Sequence, residues 1–190
     1  MERFNRELVK RKLKKYLSIK IILLACIFLF AAIVWGKYVV GLAILTVFVP
    51  ITFITIRYSK LVPHISAESN TAFTFFIGYT FGPIYALIYG PIVGVSCYAL
   101  NSFISPGYML TPVIAGICGL IVGILHGMGM GFIETFIIAL ILRTLLAFPL
   151  FLTFYDPFEV MTHQISQFLS NIIIYLPLLS LLYSLISSFV

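Results

Sequence analysis

The sequence predicts an all-α fold, a polytopic integral membrane helix bundle, and three observations carry that prediction. The 190 residues are 62% hydrophobic and 9% charged, with a mean hydropathy of +1.14. A soluble domain carries about a quarter charged residues, so this chain lacks the polar surface that a water-soluble fold needs. Apolar stretches of the length that crosses a bilayer recur along it, separated by short polar or Gly/Pro-rich turns. Finally, the positive balance of +6 is localised: Arg3, Arg6, Lys10, Arg11, Lys12, Lys14, Lys15 and Lys20 precede or open the first apolar stretch.

That basic arm, residues 1–17, reads as cytoplasmic, because basic residues flanking a first span stay on the inner side. Phe4, Leu8, Leu13 and Leu17 interleave with its charges, the pattern of a surface helix on anionic lipid. The arm therefore orients the protein in the cell membrane, and no nucleic-acid partner is expected.

Residues 18–190 read as a single transmembrane domain. A first span over 18–36 ends at Trp35-Gly36-Lys37, where an aromatic belt residue and a charge meet the interface. Another span follows at once without a small-residue cleavage site, so the first is expected to be retained rather than cut as a leader. The second span, 38–57, closes on Arg57 and Lys60. The polar interval "LVPHISAESN", 61–70, supplies a helix start at Ser69-Asn70.

Residues 71–103 are apolar over more than one bilayer thickness and contain two Gly-Pro pairs, Gly82-Pro83 and Gly90-Pro91. Proline removes a backbone donor and clashes with the preceding turn, so these pairs divide the run into a part of about a dozen residues and a longer one. One kinked crossing gives six spans with both termini inside, the preferred count. Two crossings give seven, with the C-terminus outside. "SPGYMLTP" reads as a turn, 111–126 as a short span, "HGMGMG" as a turn, 131–154 as a span, "YDPFE" as a turn and 160–189 as the last span. Small residues at fourfold spacing, Gly90 and Gly94, then Gly119, Gly123 and Gly127, predict close helix packing, with Gly82 at the break.

Charged and polar residues within spans nominate a site. Arg143 is the one basic residue deep in a span, and a charge at the bilayer centre costs about 2.5 kcal/mol or more unless it meets a partner or a cavity. Glu134 lies on the same helix about half a turn round, too far for a direct pair. In the last span His163, Ser166, Gln167, Ser170 and Asn171 recur at spacings of three and four, a one-sided polar stripe. With six spans this stripe, Arg143 and the capping Tyr155, Asp156 and Glu159 share the outer half. The predicted solute site is Arg143, His163, Gln167, Asn171 and Tyr155, with Phe148 and Phe151 placed to stack on a planar ring.

"FGPIYALIYGPIVG" followed by "SPGYMLTPVIAGICGLIVGIL" resembles the middle of the substrate-binding S components of energy-coupling-factor (ECF) vitamin transporters. In that family a Gly-Pro opens an apolar helix with small residues at fourfold spacing, here Gly82-Pro83, Ala86 and Gly90. A Pro-Gly-aromatic turn follows, here Pro106-Gly107-Tyr108, then a helix with repeated small residues, here Gly116, Gly119 and Gly123. Asn171 in "QFLSNIIIYLPLL" resembles the asparagine that often faces substrate in the family's final helix. The likeness covers residues 71–185. It implies a high-affinity receptor for a vitamin-like solute captured from outside, without ATPase activity of its own. It also implies a transmembrane scaffold subunit and two cytoplasmic ATPase subunits as partners.

No catalytic residues, metal ligands or cofactors are expected. The sequence has no HExxH, Walker loop, CxxC or GxSxG, and Cys26, Cys97 and Cys118 all lie in apolar stretches, as buried thiols would. The alternatives are a structural membrane protein of the rod-shape-determining MreD type, with a polar stripe sealed against neighbouring side chains, and an unassigned intramembrane enzyme.

Overall fold

The computed structural model describes residues 36–61, 66–102 and 104–187. The basic arm and residues 18–35 of the first predicted span lie outside the described residues. The chain divides into two compact units, Met1–Leu42 and Ala43–Val190, and the helices described below lie in the second, apart from the opening turns of α1.

Six helices and no strand are found among the described residues. They are α1 (Gly36–Leu61), α2 (Asn70–Phe81), α3 (Pro83–Leu100), α4 (Pro106–Gly127), α5 (Phe132–Leu152) and α6 (Pro157–Ile186). All but α2 are long and apolar enough to cross a membrane. Large apolar side chains such as Leu42, Ile84, Ile92, Leu145 and Ile173 lie exposed on the outside of the helices, a surface suited to lipid. The chain is a multi-pass α-helical membrane protein.

The helix boundaries follow from local chemistry. Proline in a first turn loses no helical hydrogen bond, and α3, α4 and α6 open on Pro83, Pro106 and Pro157. The expected turn "SPGYMLTP" is therefore helical from Pro106 onward. The last helix likewise begins at Pro157, where the Asp156 carboxylate accepts the Phe158 N–H at 2.9 Å. Glu134 serves the start of α5, accepting the Gly131 N–H at 3.3 Å. Within α6, Asn171–Tyr175 forms a π-helical turn. Pro177 has no N–H for the Ile173 carbonyl and its ring crowds that oxygen, which accounts for a widened turn just before it.

The run 71–103 does not cross once with a kink. The chain reverses at Gly82, whose φ of 114° lies in the region open to glycine. A Cβ on Gly78 would stand 3.1 Å from the Ala86 methyl, one on Gly90 would meet Thr74, and one on Gly94 would meet Asn70. These pairs are symmetric about Gly82, so α2 and α3 are antiparallel neighbours. Periodicity along one dimension could not distinguish a bend from a reversal.

Helix α2 is the buried centre of the fold, with every residue from Asn70 to Thr80 inside. Asn70 is level with Gly94 of α3 and Pro112 of α4, so α2 starts about 9 Å inside the ends of those helices. Twelve helical residues rise about 18 Å, and four non-helical residues reach at most about 14 Å more. Residues 66–81 together thus match a hydrocarbon thickness of about 30 Å.

The small residues divide by role. A Cβ on Gly90 would stand 2.9 Å from the Gly116 backbone, one on Gly119 would strike Thr74 and Ala86, and one on Gly123 would strike Pro83. These glycines, with Gly94, let the α2, α3 and α4 backbones approach. Gly82 is not a packing glycine, since its Cβ would find only Tyr85 at 3.9 Å; it makes the reversal. Gly127 has nothing within 4 Å and drops out of the packing series.

Candidate functional site in the core of the bundle

Non-helical backbone at bilayer depth must find hydrogen-bond partners inside the protein, and residues 66–69 show how this chain meets that demand. Ser66 N–H donates to the Ser166 hydroxyl at 2.9 Å, and the Ser170 hydroxyl donates to the Ser66 carbonyl at 3.1 Å. Ala67 N–H donates to the Ser59 hydroxyl at 3.3 Å, and the Tyr175 hydroxyl donates to the Ala67 carbonyl at 2.6 Å. Ser69 N–H donates to the Thr55 hydroxyl at 3.3 Å. Two of the five residues of the predicted polar stripe, Ser166 and Ser170, therefore hold a peptide segment.

A third stripe residue, Gln167, meets the buried arginine. Arg143, 1% exposed, sits about 16 Å along α5 from its start. Its Nη1–H donates to Gln164 Oε1, and its Nη2–H donates to Gln167 Oε1 at 2.5 Å. Gln167 passes the chain on, its Nε2–H donating to the Thr71 hydroxyl of α2 at 3.5 Å. Asn171 lies one turn further along α6, fully buried, its Nδ2–H donating to the Gln167 carbonyl at 2.7 Å.

The other buried ionisable side chain of the core is Glu68, 2% exposed, whose carboxyl oxygen accepts the Tyr98 hydroxyl of α3. Glu68 and Arg143 lie within each other's electrostatic field. They are the two buried charged residues among those described. A buried ion needs hydrogen bonds in place of water, and Gln164 and Gln167 supply them to Arg143.

An aromatic cluster adjoins the junction toward the α5–α6 turn. The His163 ring lies 6.1 Å from Phe151 and 6.2 Å from Tyr108, and Tyr108 lies 5.8 Å from both Tyr98 and Tyr155. Tyr155 shares a 2.5 Å hydrogen bond with the Ser105 hydroxyl and its ring covers Gly107, so it locks the start of α4.

Of the residues nominated from sequence, the structure joins Arg143 to Gln167 directly and brings Asn171 against Gln167. His163 and Tyr155 belong to the neighbouring aromatic cluster, and Phe148 is exposed on the outside of α5. Gln164, Glu68, Thr71 and Tyr98 were missed. Gln164 was within reach, because 164, 167 and 171 repeat the spacing of three and four that marks one helix face. Glu68 looked like part of a polar loop.

Several atoms of the junction have no hydrogen-bond partner among the described residues: Arg143 Nε, Gln164 Nε2 and Asn171 Oδ1, with His163 Nε2 alongside. No cluster of metal-ligating side chains occurs among the described residues. No family model, curated protein or solved structure matches the chain.

Proposed function

We propose that this chain is a membrane-embedded solute receptor of the ECF S-component type, with its ligand at the Arg143–Gln164–Gln167–Asn171 junction. The observation that carries the reading is the set of unpaired, fully buried polar atoms around a mid-depth arginine. Leaving such an atom unpaired costs about 1–3 kcal/mol, a cost that a ligand making those bonds would remove. The Gly82-Pro83 pair opening α3, with Ala86 and Gly90 on its packed face, is the feature on which the likeness to S components rests. The proposed partners are a transmembrane scaffold subunit and two cytoplasmic ATPases. The proposed setting is the plasma membrane, with the basic arm on anionic lipid at its cytoplasmic face. Capture from outside requires the end carrying residues 61–69, 100–106 and 152–157 to face outside, and hence, with the basic arm inside, that the stretch 18–36 adds no crossing of its own before α1. Native mass spectrometry of the purified chain is the direct test: a small molecule released on denaturation, and lost in Gln167→Leu, is the expected result.

A second reading is favoured by one specific observation. Both terminal nitrogens of Arg143 are closed by glutamines, and Ser166, Ser170 and Tyr175 bind backbone. That is how a structural membrane protein of the MreD type would use a polar stripe. A chain that purifies without ligand and co-purifies with a membrane assembly lacking ATPases would establish this reading instead.

A further inference from the structure

The outer face of α6 carries an open groove of about 530 Å³. Among the described residues its rims are Ile165, Leu169, Ile173 and Ile174, all exposed, and its floor is the half-buried Thr162, Ser166 and Ser170. Each floor hydroxyl is already bonded to backbone. Thr162 donates to the Phe158 and Glu159 carbonyls, Ser166 accepts the Ser66 N–H, and Ser170 donates to the Ser66 carbonyl. The groove therefore presents hydrocarbon walls, and an occupant gains there by packing.

Its depth selects the occupant. From Thr162 to Ile174 the helix rises about 18 Å, close to one leaflet's half of a hydrocarbon core about 30 Å thick. The groove begins little more than a turn inside Pro157, where α6 starts, and ends on the π-helical turn Asn171–Tyr175. A partner helix would need a seam along the whole span, whereas a groove one leaflet deep fits a single acyl chain. At its mouth stands Glu159, three residues before Thr162 and seven before Ser166, hence on the same face. Asp156 is occupied by the Phe158 N–H, but Glu159 is exposed and forms no ion pair among the described residues. A carboxylate there repels a net-negative headgroup and attracts a primary ammonium, which can donate to it.

We propose that the α6 groove binds one phospholipid with a primary-ammonium headgroup, a phosphatidylethanolamine. One acyl chain lies along Ile165, Leu169 and Ile173, and the ammonium donates to the Glu159 carboxylate. The floor serines also hold Ser66, so the bound chain packs against the residues that fix the 66–69 segment. The site is separate from the Arg143 junction, and the inference does not depend on the receptor reading.

The test takes the full chain, delipidated in mild detergent, and titrates it with phosphatidylethanolamine or phosphatidylglycerol of identical acyl chains, read by native mass spectrometry. Glu159→Gln and Leu169→Trp are run beside the parent; both positions are exposed, so neither change disturbs the interior. The expected result is one retained phosphatidylethanolamine per chain, favoured over phosphatidylglycerol at least about threefold, a ratio that one partly exposed ion pair supplies. Glu159→Gln should bring the ratio close to one, and Leu169→Trp, which fills the groove, should reduce retention of both lipids. A ratio near one in the parent, or a preference that survives Glu159→Gln, overturns the headgroup assignment. Retention unchanged in Leu169→Trp overturns the groove as the site. A dimer that forms without lipid and dissociates in Leu169→Trp overturns the proposal by identifying a second copy of the chain as the occupant.

Discussion

The Nη2 of Arg143 on α5 and the Oε1 of Gln167 on α6 meet at 2.5 Å in the interior of the bundle, and Gln167 extends the contact to Thr71 of α2. Three helices are thus tied at one side chain. Gln167 sits at the middle of the chain of bonds, so its loss leaves Arg143 held by Gln164 alone and takes from Thr71 its bond to α6. Gln167→Leu should cost about 1–3 kcal/mol, seen as a lower unfolding midpoint in detergent. Arg143→Met combined with Gln167→Leu should recover part of that loss, because the under-bonded charge is gone. Additive losses in the double variant would sever the two residues energetically.

The reversal at Gly82 makes a distinct demand. A side chain at φ 114° is strained wherever space exists, so Gly82→Ala should destabilise by about 1–2 kcal/mol. Gly127→Ala, with open space around it, should be neutral or slightly stabilising, since alanine is the better helix former. Thermal unfolding of the two variants side by side reads this directly.

Close approach is tested at Gly90, where any Cβ meets the Gly116 backbone at 2.9 Å. Gly90→Leu should cost about 1–3 kcal/mol or more through overpacking. Leu87→Ala, at an exposed position on the same helix, should cost less. Equal midpoints would place Gly90 outside the packed seam.

Much of the fold was legible because its signals are one-dimensional. The apolar runs and the polar stripe of α6 appear along the sequence, and the cost of a charge in lipid singled out Arg143, whereas Pro106 and Pro157 stood in stretches that read as turns and in fact start helices. The reversal was not legible, because Gly82-Pro83 marks a break without its angle. Glu68 was missed for a related reason. In "HISAESN" it reads as loop, and only the return of residues 66–69 into the bundle makes it the partner of Tyr98 and the other buried ionisable side chain of the core. The serines of the stripe misled in the opposite sense, since a hydroxyl that holds backbone has the same spacing as one that faces solute.

The reversal also predicts topology. With α2 and α3 antiparallel, the end of α1 and the end of α3 lie on the same side of the membrane; one bent crossing over 71–103 would put them on opposite sides. In a background with the native cysteines replaced, Leu61→Cys and Ser102→Cys should react with an impermeant maleimide from the same face. Met128→Cys should react only from the other. Labelling of the first pair from outside is what a receptor capturing external solute requires. Labelling from inside agrees with Arg57 and Lys60 at that end and would turn the junction toward the cytoplasm.

The final prediction concerns the balance between Glu68 and Arg143. Each is almost fully buried and each lies in the other's field, yet their hydrogen bonds run to different groups, Tyr98 for Glu68 and the two glutamines for Arg143. Any coupling between them therefore runs through charge rather than a shared contact. Removing one member of a buried charge pair leaves the other uncompensated, typically at about 3–5 kcal/mol, whereas replacing both by neutral side chains is often close to neutral. Glu68→Gln and Arg143→Met should each lower the unfolding midpoint, and the double variant should melt above the sum of the two losses, with a coupling of about 0.5–3 kcal/mol. Tyr98→Phe serves as the control, removing the Glu68 hydrogen bond while keeping both charges. A double variant that loses the full sum would mean that Glu68 and Arg143 are buried independently, each satisfied by its own hydrogen bonds, and the junction would then carry no matched pair of charges.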